Sequence, residues 1–131
     1  MSEQKKILIV EDEVDEAAYL RVLFEDNGFA VMAAINGQDG FEKAKSQIPD
    51  LITLDISMPG ESGVRMLRDL QGDPATSDIP VIVITGVSHD FKRFIESRRQ
   101  VRPPAGYFDK PPDREQLLKK IRELLGLPGA P

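Results

Sequence analysis

Three carboxylates and one ammonium carry most of the chemistry this sequence can do. Glu11 and Asp12 follow the apolar run 7–10, and Asp55 follows the apolar run 51–54. Lys110 comes just after the run 105–108, and Thr85 and Gly86 stand in the same place after the run 81–84. Two carboxylates brought to about 4 Å of each other repel by roughly 4 kcal/mol at an effective dielectric near 20. Either one takes up a proton or a cation binds between them. An all-oxygen set without His or Cys selects a hard cation. Three carboxylates that leave room for waters and a phosphate suit Mg²⁺, with Mn²⁺ as a substitute. Lys110 would add a second, fixed cation on the opposite side.

Composition removes most other chemistry. With no Cys there are no disulfides, thiolate zinc sites or Cys nucleophiles, and the single His89 cannot form a His-cluster metal site or a Ser-His-Asp triad. The 17 Lys and Arg against 22 Asp and Glu give a net charge of −5, which disfavours direct binding of nucleic acid. No apolar run approaches the roughly 18 residues of a spanning helix, and the start is too short in apolar residues for a secretory signal. The expectation is a cytoplasmic protein that makes no use of a membrane. A length of 131 residues suits one domain over 1–131, with a core at 6–125 and a Gly/Pro-rich tail at 126–131.

The chemistry-bearing residues need a frame that brings strand ends together. The runs 7–10, 30–34, 51–54 and 81–84 are continuously apolar, and 105–108 is a weaker fifth. Runs rich in Ile and Val without in/out alternation fit strands covered on both faces, as in a parallel sheet. Helical patterns alternate with them. The stretch 15–27 places Ala18, Leu20, Leu23 and Phe24 at helical spacing and stops at Gly28. Asn36 can cap a second helix with Phe41, Ala44 and Ile48 inward, and Ser62 a third with Val64, Leu67 and Leu70 inward. A fourth is expected over 90–99, with Phe91, Phe94 and Ile95 apolar. The last starts at Asp113 with Gln116 three residues on, carries Leu117, Leu118, Ile121 and Leu124, and stops at Gly126. Five strand-helix units predict a doubly wound α/β fold with a five-stranded parallel sheet in the order 2-1-3-4-5. Strands 1 and 3 then lie side by side where the winding reverses, and sites form at the carboxyl ends there.

Taken together, Glu11-Asp12, Asp55 in a Leu-Asp-Ile-Ser-Met-Pro-Gly run, Thr85-Gly86, and Lys110-Pro111 preceded by Tyr107 resemble the receiver domain of two-component response regulators. The resemblance runs from Lys6 to Leu125. It is strongest to the single-domain regulators of the chemotaxis kind. It implies that Asp55 accepts a phosphoryl group from a sensor histidine kinase or a phosphotransfer protein. Mg²⁺ would be held by Asp12 and Asp55, by Glu11 through water, and by the backbone carbonyl of Ser57. Lys110 and Thr85 would bind phosphoryl oxygens beside Gly86, and Tyr107 would turn inward as Thr85 moves. The Lys110–Pro111 bond would be cis. A downstream protein target would then be engaged through the fourth predicted helix, the fifth strand and the last helix, and a phosphorylation-dependent homodimer is left open. Self-phosphorylation and autodephosphorylation would be the only catalysis.

Plainer readings stand beside these. Glu13 and Glu16 read as an ordinary acidic approach to the first helix. The basic residues Lys92, Arg93, Arg98, Arg99 and Arg102 read first as a solvated face and second as a docking surface for an acidic partner. The 25 positions from Thr85 to Lys110 are a few more than the resemblance leads one to expect, with the excess at 100–104. One alternative is a receiver-like interaction module that works without phosphorylation; another is a receiver cut from a longer regulator or hybrid kinase. An aspartyl phosphatase is disfavoured because Ser57 stands where its second Asp would be, and no glycine-rich nucleotide loop follows the first strand.

Overall fold

The computed structural model describes residues 4–58, 62–86 and 102–129. Five strands, β1 (Lys6–Val10), β2 (Ala30–Ala34), β3 (Leu51–Leu54), β4 (Val81–Thr85) and β5 (Gly106–Asp109), form one sheet. All pairings are parallel, and the order is β2-β1-β3-β4-β5, as the alternation of runs and helical patterns predicts. Four helices are found among the described residues: α1 (Val14–Asp26), α2 (Gly37–Gln47), α3 (Ser62–Gly72) and α4 (Arg114–Leu124). The helix expected over 90–99, with Phe91, Phe94, Ile95 and four of the five basic residues, lies outside them.

The missing alternation in the strands has a direct cause, because both faces of the sheet are buried. Leu8, Val10, Ile52, Leu54, Val81 and Val83 pack on one side against Ala44, Leu67 and Leu70 of α2 and α3. Ile7, Ile9, Leu51, Ile82 and Ile84 pack on the other against Leu20, Phe24, Leu117 and Ile121 of α1 and α4. Successive residues of each strand therefore feed opposite cores. Thr53 is the exception in its strand. Its hydroxyl is buried with no hydrogen-bond partner among the described residues.

Helix ends follow the cap chemistry. Asn36 Oδ1 accepts from the Asp39 amide at 2.8 Å, and Asp113 Oδ1 accepts from the Gln116 amide at 3.0 Å. Gly28 (φ 90°) and Gly126 (φ 68°) take the left-handed conformation just past α1 and α4. Some inward assignments need correction. Ala18 is exposed, and its neighbour Ala17 packs on the core instead. Ile48 is not on the buried stripe of α2. The helix ends one residue earlier, Ile48 adopts φ 43° as its cap, and the turn leaves its side chain about half exposed. α3 starts with Ser62 already inside the helix. Among the described residues no helix is long and apolar enough to cross a membrane.

Candidate functional site

Sheet register builds the site. Val10 of β1 is paired with Leu54 of β3, so the next residues, Glu11 and Asp55, leave the sheet side by side. The Asp55 amide donates to the Val10 carbonyl at 3.0 Å, which carries the pairing one step past the strand. At the far side Thr85 is paired with Asp109, and the Lys110 amide donates to the Thr85 carbonyl at 3.1 Å. Lys110 thus enters from β5 and reaches back across the carboxyl ends of the strands. The Lys110–Pro111 peptide is cis.

Glu11 and Asp55 are each only 4% exposed, whereas Asp12 is exposed. Glu11, Asp12 and Asp55 each bring a carboxylate oxygen within 4.8 Å of the other two. Lys110 does not stand opposite this cluster, as the sequence suggested, but within it. Its Nζ donates to Glu11 Oε1 at 2.6 Å, Asp55 Oδ2 at 2.9 Å and Glu16 Oε2 at 2.5 Å. The third partner is the main correction to the sequence reading. Glu16 is no mere helix-dipole residue, since the first turn of α1 delivers its carboxylate to Lys110. The other oxygen of Asp55, Oδ1, accepts from the Ser57 amide at 2.8 Å and from the Ser57 hydroxyl at 2.6 Å, so the carboxylate is fixed from both ends.

These contacts divide the protons. Burial pushes the Glu11 carboxyl up to about 8, against the hydrogen bond from Lys110 and with help from the neighbouring acids. Burial also acts to raise Asp55, but hydrogen bonds from Ser57, Glu11 and Lys110 outweigh it and hold Asp55 below the usual carboxylate range. Glu16 is lowered, chiefly by its hydrogen bond to Lys110. Lys110 is raised, because its three carboxylates overcome burial. At neutral pH the cluster therefore keeps Asp55 ionised and Glu11 protonated, with Lys110 as the counter-charge.

Thr85 is fully buried at the end of β4, and Gly86 after it is exposed, with open space where a Cβ would stand. Among the described residues nothing steric at that position requires glycine. Tyr107 is half-buried and packs against the core on the α2–α3 side, so its ring already lies inward. Sequence reasoning passed over Gly63. A Cβ there would sit 2.6 Å from the Asp55 carbonyl oxygen and 2.7 Å from Ile56 Cα, so the start of α3 can lie against the backbone that carries Asp55 only because this residue has no side chain. Its signal was visible as a glycine directly after the expected cap Ser62.

A largely buried acidic cluster and a lysine at the topological switch point of a doubly wound sheet define a class of phosphate- or cation-handling α/β domains. The chain belongs within that class to the response regulator receiver domain family, whose model matches residues 7–122. It is a receiver domain of two-component signalling, a family whose general function is a phosphorylation switch. Protein PilH of Pseudomonas aeruginosa is 38% identical over 120 residues, covering 92% of this chain and 97% of that protein. The phosphate regulon transcriptional regulatory protein PhoB of Rhizobium meliloti is 30% identical over 120 residues, and there the chain spans only 52% of the relative's length. The crystal structure of a CheY-like receiver domain protein from Methanospirillum hungatei superposes with a TM-score of 0.82 at 26% identity, covering 95% of each chain.

Proposed function

We propose that Asp55 is the phosphoryl acceptor of a Mg²⁺-dependent switch. The observation that carries this reading is the state of Asp55 itself: a buried carboxylate, held ionised by Ser57 and Lys110, at the carboxyl end of the central strand. A nucleophile must keep a lone pair and a fixed direction. The two Ser57 contacts occupy Oδ1, which orients Oδ2 for in-line attack. The donor set of Glu11, Asp12 and Asp55 is all oxygen and fits a hard divalent cation, with the Ser57 carbonyl as a further ligand. Bound there, Mg²⁺ would neutralise charge on the transferred group.

In the transfer, Asp55 Oδ2 forms a bond to phosphorus as the donor's phosphorus–nitrogen or phosphorus–oxygen bond breaks, and the leaving group takes the bonding pair. Lys110 turns from its carboxylates to a phosphoryl oxygen, and the Thr85 hydroxyl donates to another. Tyr107 and the surface that includes β5 and α4 respond to that movement, which makes the phosphoryl group a ligand that favours one of two states. The donor is a sensor histidine kinase or a phosphotransfer protein, and the output is a protein target. The protein turns over no outside substrate; its chemistry is confined to loading and hydrolysis at its own Asp55.

Intact-protein mass after incubation with acetyl phosphate, with and without Mg²⁺, tests this beside the Asp55→Ala variant. One added phosphoryl group that requires both Mg²⁺ and Asp55 is expected. Loading that persists in Asp55→Ala would refute the assignment.

A further inference from the structure

The ammonium of Lys110 has three hydrogens. Three carboxyl groups take them: Glu16 at 2.5 Å, Glu11 at 2.6 Å and Asp55 at 2.9 Å. An incoming phosphoryl oxygen can gain Lys110 only by displacing one of them. Glu11 and Asp55 belong to the cluster suited to a divalent cation, and their side chains are 3% and 4% exposed. Glu16 is outside that cluster and its side chain is 46% exposed. It also borders, with Glu11, Tyr19, Lys110 and Pro111, a cavity of about 470 Å³. Asp55 Oδ2 is itself consumed in the transfer, and of the remaining two partners only Glu16 lies at the surface, where it can swing into water.

We propose that Glu16 is a positioning residue that holds Lys110 away from the incoming phosphoryl group and so sets the rate at which Asp55 is loaded. This rests on the reading of Asp55 as the acceptor. Two effects act in the same direction. Glu16 occupies one hydrogen of Lys110 in the unloaded state, and its negative charge stands where an anionic phosphodonor must approach. Loading from acetyl phosphate forms the bond from Asp55 Oδ2 to phosphorus and breaks the phosphorus–oxygen bond to acetate, which leaves with the electron pair. No proton has to move. The step therefore depends on how freely Lys110 can meet the new phosphoryl oxygens.

The test follows loading by acetyl phosphate with Mg²⁺ over time, by intact mass, for wild type, Glu16→Gln and Glu16→Asp at low and high salt. Mg²⁺ affinity is measured in parallel by calorimetry. Glu16→Gln keeps the shape and removes the charge, so loading should be about 1.5- to fivefold faster, the range expected for losing a partly exposed ion pair. The gain should shrink at high salt. Glu16→Asp, which keeps the charge, should stay closer to wild type than to Glu16→Gln. Mg²⁺ affinity should not rise in Glu16→Gln, because removing a negative charge cannot attract a cation. Loading of Glu16→Gln at or below the wild-type rate overturns the inference, as does Glu16→Asp loading as fast as Glu16→Gln. If wild type itself takes no phosphoryl group, the reading of Asp55 fails and this inference with it; if wild type loads and Glu16→Gln is unchanged, this inference alone fails.

Discussion

Replacing Glu11 with Gln should stabilise the fold, and the size and pH dependence of the gain follow from the site. Glu11 is raised from 4.5 to about 8 by burial, so the folded protein holds it protonated at pH 7 while the unfolded chain ionises it. At about 1.36 kcal/mol for each pH unit above 4.5, proton uptake costs the folded state about 3 kcal/mol at pH 7. A Gln is neutral in both states and escapes this cost, although its amide must still be desolvated beside Asp55 and Lys110. Roughly half, on the order of 1–2 kcal/mol at pH 7, is the expected net gain. The sign with pH is fixed. Because the folded value lies above the unfolded one, the contribution of Glu11 is whole below pH 4.5 and is lost as pH rises through about 8. Urea unfolding followed by far-ultraviolet circular dichroism, at several pH values from 5 to 9, should show the variant slightly the less stable at pH 5, where the Gln amide's desolvation remains and Glu11 carries little cost. The variant should pull ahead until about pH 8 and hold its lead above that. An advantage that is absent, or that does not grow with pH, would refute the assignment of the proton to Glu11.

Three further outcomes are expected. If Glu11 helps hold Mg²⁺ as proposed, the ion displaces its proton, so apparent affinity should rise with pH up to about 8 and level off, with proton release visible by calorimetry in buffers of different ionisation enthalpy. Gly63→Ala would push a methyl into the Asp55–Ile56 backbone; it should cost about 2 kcal/mol in urea unfolding and weaken Mg²⁺ binding, because the same backbone carries the site. Thr53→Val keeps the shape and removes a buried hydroxyl without a partner among the described residues, so it should raise stability by about 1 kcal/mol, and a loss would show that the hydroxyl is satisfied.

The strands and their order were legible because a sheet buried on both faces writes itself as continuous Ile and Val runs, and because the short connections permit few topologies. Asn36 and Asp113 were legible as caps because capping is local, between residues three apart. The convergence of Glu11, Asp12 and Asp55 followed from the strand order alone, one or two residues past each strand. Glu16 was not legible. Its partner Lys110 is 94 positions away, and an acid in the first turn of a helix already has a sufficient local reason to be there. Ile48 was misplaced because helical spacing continues past the point where α2 actually ends, and only the backbone shows the turn to positive φ. Gly63 looked like any glycine near a helix start, since the close approach that requires it involves chain outside its own helix.

The proposed switch chemistry depends on one atom, a carboxylate oxygen of Asp55. Borohydride reduction of the protein after loading with acetyl phosphate and Mg²⁺ converts an acyl phosphate on Asp to homoserine, and peptide mass spectrometry locates the change. Homoserine at position 55, absent without Mg²⁺ or donor, is the predicted result. Homoserine at Asp12 with an unmodified Asp55, or a loaded protein with no reducible acyl phosphate at position 55, would contradict it.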